Sequence, residues 1–216
     1  FIFGSEAHLG VRPAREYIFM IISGPVGAYY KEGFAPINIF VEPRYSRAVP
    51  GGLGEVKAAA NYAASLFAAE EASKKGFSQL LWLDPCQHKF IEEVGSMNIL
   101  FVIDDEIVTS PLAGTILPGI TRDSVLTLAR DWGVKTAERP LSIDELLEAQ
   151  KNGRLKEAFG AGTAAVISPV GQLHYQGENL TVGDGGIGPL TQRLYDELTG
   201  IQYGRRPDPH GWVYPI

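Results

Sequence analysis

The sequence predicts a single α+β domain, and three observations carry that expectation. Short apolar runs bounded by Gly and Pro recur along the chain and read as strands, while Ala- and Glu-rich or capped stretches read as helices. The two kinds mix without the strand–helix–strand rhythm of a doubly wound sheet, and no dinucleotide-binding glycine fingerprint is present. No linker-like tract, low-complexity segment or internal repeat divides the 216 residues.

Taken in order, the runs at 17–22 and 37–41 are short, apolar and fenced by Gly or Pro, which predicts buried strands. Residues 61–75 are rich in Ala and Glu, carry Lys74 and Lys75 at the end and stop at Gly76, so a helix is expected. Residues 79–83 and 97–103 read as strands, with Glu93 on the approach to the second, which turns at Asp104-Asp105 into a hairpin with 106–109. A helix is expected over 121–132, between Leu117-Pro118-Gly119 and Gly133, and Ser142-Ile143-Asp144-Glu145 is a capping box that starts another. A strand over 164–170, entered through a turn at 160–163, and a helix over 189–198 with Pro189 in its first turn and a stop at Gly200 complete the pattern.

Composition narrows the function. A net charge of −6 with scattered Lys and Arg gives no basic field for nucleic acid, and no apolar run is long enough to cross a bilayer as a helix. The lone cysteine, Cys86, reads as a small residue in a turn and fits a reducing cytoplasm. Phe1-Ile2-Phe3-Gly4 has neither an initiator Met nor the layout of a signal peptide, so the chain is expected to begin inside a longer protein.

The residue with the most unusual surroundings is Lys57, in GGLGEVKAAANY (51–62), with glycines before it and alanines after. Such packing can desolvate an amine, lower its pKa and leave a nucleophile able to form a Schiff base with a carbonyl. Local composition alone does not separate that from a solvated lysine at a helix start. A Walker-type phosphate loop is disfavoured by the glycine–lysine spacing and by the absence of Ser or Thr after Lys57. Further on, Glu92-Glu93-Val94-Gly95-Ser96-Met97-Asn98 sets two glutamates before an apolar strand, one of them a candidate to face inward. Two Gly-rich turns, 114–121 and 159–165, each hold a threonine, and the first leads into a helix whose free N–H groups and dipole favour an anion. Each threonine alone reads as a cap or a turn hydrogen bond. Together, an amine, a buried carboxylate, the phenol of Tyr62 and two anion-friendly turns are what pyridoxal phosphate requires.

Several blocks in order, GGLGEVKAAANYAASL (51–66), EEVGSMNI (92–99), GTILPGITRDSVL (114–126), FGAGTAA (159–165) and IQYGRRPDPHGW (201–212), carry a resemblance to the fold-type IV pyridoxal-phosphate enzymes, and within them to the branched-chain amino-acid aminotransferases. The resemblance implies the large cofactor-binding domain of that fold, a barrel-like mixed sheet with surrounding helices, over residues 1–216, with the end of the interdomain region at its start and the small N-terminal domain outside this chain. It implies pyridoxal 5'-phosphate bound through Lys57, with Tyr62 beside the ring hydroxyl and Glu93 paired with the ring nitrogen. Leu117, Gly119, Ile120, Thr121, Gly162 and Thr163 would hold the cofactor and its phosphate, and Ser96, Met97 and Ala164 would face the substrate. Implied too are ping-pong transfer from L-leucine, L-isoleucine or L-valine to 2-oxoglutarate, and a homodimer. No metal is expected. Ala165-Val166-Ile167-Ser168 stands where some relatives carry CxxC, so no thiol switch is expected. D-amino-acid aminotransferases and aminodeoxychorismate lyase share the lysine and glutamate. A fragment that keeps the fold without the chemistry, and a phosphate-sugar binding domain, are the alternatives outside catalysis.

Overall fold

A computed structural model describes residues 1–22, 24–25 and 33–214. Strands β1 (Ile2–Gly4) and β2 (Tyr17–Phe19) pair antiparallel as a separate ribbon. The chain then runs through β3 (Ile37–Val41), α1 (Ala59–Lys74), β4 (Gln79–Leu83) and a meander of β5 (Ile91–Val94), β6 (Met97–Ile103) and β7 (Glu106–Thr109). After α2 (Ile120–Asp131), β8 (Lys135–Glu138) and α3 (Ile143–Lys151) come β9 (Leu155–Gly162), β10 (Val166–Tyr175), β11 (Glu178–Thr181) and α4 (Pro189–Gln202). Strands β3 to β11 form one nine-stranded mixed sheet. Because β9 pairs with both β6 and β10, and β10 pairs in parallel with β3, six strands close into the expected barrel.

Alternation along β6 shows how the barrel fills. Met97, Ile99, Phe101 and Ile103 join an interior cluster with Ile39, Leu81, Val170 and the Ile143, Leu146 and Ala149 face of α3. Leu100 and Val102 point the other way, against Val125 and Leu128 of α2 and Leu194 and Leu198 of α4. Both faces of β6 are therefore covered, which is why the strand reads as an unbroken apolar run. A third cluster packs Ala68 and Ala72 of α1 on Leu80 and Trp82.

Several elements depart from expectation. The run at 17–22 is a strand only over Tyr17–Phe19 and is exposed, since among the described residues its ribbon has no further layer to cover it. Gly160 and Gly162 lie in β9 and not in a turn: the Met97 side chain occupies the space where their Cβ atoms would sit, 2.7 and 3.0 Å away, so the glycines permit close packing and the reversal falls at 163–165. Helix α4 continues through Gly200 to Gln202, because the Arg206 side chain packs on that glycine and Gly204, at φ +65°, is the residue past the helix that takes the left-handed conformation. Strands β5, β8 and β11 are too short or too polar to have been read. The Ser142 cap is present, its Oγ accepting from Glu145 N at 3.1 Å. Cys86 is exposed in the Asp84–Lys89 turn, whose backbone N–H groups converge on the Asp84 carboxylate.

Buried Glu157 anchors α4 to the barrel. Its carboxylate accepts from Leu190 N at 3.0 Å and from Thr191 N and Oγ1, each at 2.7 Å, satisfying donors that a helix start leaves unpaired. Glu157→Ala is therefore expected to cost roughly 2–3 kcal/mol and to lower the thermal unfolding midpoint by about 5–10 °C. Circular dichroism checks this, and a midpoint unchanged within about 1 °C would refute the anchoring role.

Candidate active site

Four connecting segments meet at one rim of the barrel. They are the turn before α1 that holds Lys57, the β5–β6 turn, the loop entering α2, and the β9–β10 reversal. Each is held by local chemistry. Asn61 in the first turn of α1 donates from Nδ2 to Leu53 O at 2.6 Å and Val56 O at 2.9 Å, which fixes the turn that presents Lys57. Gly54 lies against the other loop so closely that a Cβ there would meet the Thr115 backbone at 2.5–2.6 Å, so only glycine fits.

Lys57 Nζ donates to Tyr62 Oη at 3.3 Å. The amine is exposed, not desolvated as its small neighbours suggested. Those neighbours bring backbones together, as Gly54 does, and have no side chain tall enough to cover it.

Glu93 is the buried group of the site. It precedes β6 as expected, but within a strand of its own, β5, and is 3% exposed. The two-residue Gly95-Ser96 turn sets it opposite Asn98. Asn98 Nδ2 donates to Glu93 Oε1 at 3.0 Å and to Leu117 O at 2.9 Å, and Leu117 N donates to the same Oε1 at 3.2 Å. Arg47 Nε lies 2.6 Å from Glu93 Oε2. Burial pushes the Glu93 carboxyl up to about 7, opposed by the Arg47 guanidinium and the Leu117 N–H. Glu92 is buried as well, but its Oε1 accepts from Thr115 Oγ1 at 2.6 Å and it does not line the cleft. Of the two glutamates that the residues alone left open, Glu93 is the one that shares a wall with Lys57.

Helix α2 starts at Gly119 with no side-chain cap, so its first N–H groups are available to an anion. A Cβ on Gly119 would collide with Asn98 Oδ1, and glycine keeps that approach open. The cleft there is walled by Lys57, Glu93, Ser96, Asn98, Leu117, Pro118, Gly119, Ile120, Thr121, Ala161, Gly162 and Thr163. It encloses about 560 Å³ including the solvent at its mouth, a size suited to a small ligand. A neighbouring hollow shares Lys57, Glu93, Ser96 and Leu117 and adds Arg47, Asn61 and Tyr62. Ten of the twelve expected residues thus converge. Met97 is buried in the floor beneath Gly160 and Gly162, and Ala164 is exposed just beyond Thr163, so neither lines the cleft.

Sequence reasoning missed Arg47, Asn98 and Asn61. Asn98 was within reach, since a two-residue turn at Gly95-Ser96 places it opposite Glu93. No local signal marks Arg47.

The donor set fits pyridoxal phosphate: an amine, a phenol within hydrogen-bond distance of it, a buried acid on the cleft wall, and an uncapped helix start flanked by Thr121 and Thr163. Comparison with known proteins agrees. The family model described as amino-transferase class IV matches residues 15–173. The branched-chain-amino-acid aminotransferase 2 of Bacillus subtilis (strain 168) is 54% identical over 216 residues, all of this chain and 60% of that protein. The crystal structure of the Escherichia coli branched-chain amino acid aminotransferase superposes with a TM-score of 0.77 at 32% identity, covering 89% of this chain and 60% of that one. A T.th. branched-chain amino acid aminotransferase complexed with N-(5'-phosphopyridoxyl)-L-glutamate gives a TM-score of 0.72 at 29% identity, covering 83% and 56%. The chain spans about 60% of the length of the curated relatives it matches.

Proposed function

The chain belongs to the amino-transferase class IV family, and from that premise we propose that it is the cofactor-binding part of an aminotransferase that moves the amino group of L-leucine, L-isoleucine or L-valine to 2-oxoglutarate through pyridoxal 5'-phosphate. One observation carries the reading: Lys57 and buried Glu93 share a cleft closed by the uncapped start of α2 and by Thr163. The relatives' names support the substrate class, and the glutamate adduct of the T.th. enzyme supports glutamate and its 2-oxo acid as the second pair.

When bound, the cofactor supplies an electron sink for charge developing at the substrate's α-carbon. Lys57 Nζ would hold it, and the same side chain, as a free amine, would move a proton at the substrate's α-carbon. Tyr62 Oη, 3.3 Å from Nζ, holds the amine toward the cleft. Glu93, whose Oε1 is fixed by Asn98 and the Leu117 N–H, would provide the anion that keeps a ring nitrogen protonated. The α2 N-terminus with Thr121, together with Gly162 and Thr163, would receive the phosphate. Ser96 stands on the substrate side, as do Met97 and Ala164 in this reading, from the cleft's floor and edge. Two half-reactions on one site give ping-pong kinetics. A smaller N-terminal domain completes the pocket, the protein works as a cytoplasmic homodimer, and small molecules are its only ligands. The share of the relatives' length outside this chain is in keeping with that division. Among the described residues no helix is long and apolar enough to cross a membrane.

The test is to load the protein with pyridoxal phosphate and assay L-leucine, L-valine and D-alanine against 2-oxoglutarate, then reduce with borohydride and map the labelled peptide. Turnover of the two branched L-amino acids and label on Lys57 are expected. Activity confined to D-alanine, or label on another lysine, would overturn the reading.

A further inference from the structure

We propose that Arg47 is a positioning residue of this site, bracing the Lys57 turn against the segment that enters α2 while holding a cation beside Glu93. The proposal rests on the roles given above to Lys57 and Glu93. Arg47 Nη2 donates to Thr115 O at 2.5 Å and to Gly54 O at 3.1 Å, while Nε lies 2.6 Å from Glu93 Oε2. One guanidinium thus touches three pieces of the cleft: the turn that presents Lys57, the loop that leads to the phosphate end, and the buried acid between them. Its side chain is 10% exposed, so these contacts are made largely out of water.

Two further observations separate a positioning role from ordinary packing. The Gly54 and Thr115 backbones touch with no room for a Cβ, and Arg47 bonds the carbonyl of each residue, so the guanidinium lies across the point where the two segments meet. Among the described residues the buried Nε has no hydrogen-bond partner, the Glu93 carboxylate 2.6 Å away not being in hydrogen-bonding alignment with it, so it acts on Glu93 as a nearby charge. Around Glu93 the charged groups are Arg47, Glu92 and Lys57, with the Asn98 amide and the Leu117 N–H as neutral donors. Of these, Arg47 opposes burial most strongly. A lysine in its place would keep a charge, but a compact ammonium cannot span Glu93 and both carbonyls.

The test uses cofactor-free protein. Glu93 titration is read as the pH-dependent difference in thermal unfolding between each background and the same background carrying Glu93→Gln, and turn mobility as amide exchange over residues 53–58. Arg47→Met is expected to move the Glu93 titration up by about one pH unit or more and to speed exchange about tenfold. Arg47→Lys is expected to return the titration to within about half a unit while exchange stays fast. An unmoved titration in Arg47→Met, or exchange in Arg47→Lys as slow as in the unaltered protein, overturns the proposal. Should Arg47→Met fail to fold, the two readouts of Arg47→Lys decide it. Borohydride label on a lysine other than Lys57 would remove the catalytic reading and leave these outcomes standing, so the two failures are distinguishable.

Discussion

Lys57→Ala is expected to abolish borohydride-trapped cofactor and to lower turnover by about four to six orders of magnitude, with a thermal midpoint shifted by no more than about 2 °C. Both halves follow from where the amine sits. Lys57 is exposed and its side-chain hydrogen bond to Tyr62 is itself at the surface, so among the described residues its removal uncovers no core and orphans no buried group. The turn that carries it is held by Asn61 and by the Gly54 contact, neither of which uses the lysine side chain. In the proposed mechanism the same amine has two duties, attachment and proton transfer, and groups that act as a unit lose nearly everything when one is removed. Lys57→Arg sharpens the test. It keeps the charge and most of the length, but a guanidinium does not deprotonate in a protein and can serve neither duty. Retention of more than about 1% of turnover in either variant would show that the amine is not the reacting group.

How much of this was legible differs from residue to residue, for physical reasons. Lys57 was found from its odd neighbours, yet those neighbours pointed to burial and the amine is exposed, because small residues shorten distances between backbones as readily as they line a pocket. Glycine was ambiguous in the same way. At 160 and 162 it was read as a turn signal, whereas in β9 it makes room for Met97. The helix starts, the Ser142 cap and the doubly buried β6 were legible because their causes lie within a few residues. The closure of β10 on β3 is a pairing between segments more than a hundred residues apart, and only the family resemblance pointed to a barrel. Arg47 is the extreme case: its partner Thr115 is 68 positions away, and the stretch from Pro43 to Arg47 reads as ordinary polar loop.

Glu93→Gln is expected to change stability by an amount that depends on pH in a stated direction, and to lower turnover by about two to three orders of magnitude. The unfolded carboxyl titrates near 4.5 and the folded one near 7, so between those values the folded state holds a proton that the unfolded state has released. Stability contributed at this site is whole below pH 4.5 and falls as pH rises through 7, by roughly 3 kcal/mol in total. Glutamine has no such proton, so the variant gains on the unaltered protein by about that amount between pH 4.5 and 8 in the cofactor-free state. An opposing effect is present but flat. The amide offers one oxygen and one NH₂ where two oxygens face Arg47 on one side and Asn98 with Leu117 on the other, so one donor meets a donor at every pH. The offset can make the variant less stable overall, but it cannot mimic a slope. Unfolding midpoints of the two proteins across this pH range therefore isolate the titration, and parallel curves would refute a raised Glu93. In the loaded protein, on the role proposed for Glu93, the same substitution would remove the anion meant for the ring nitrogen while the Asn98 and Leu117 contacts retain an acceptor. A large loss of turnover with KM within about threefold would place the effect on the electron sink and not on substrate binding.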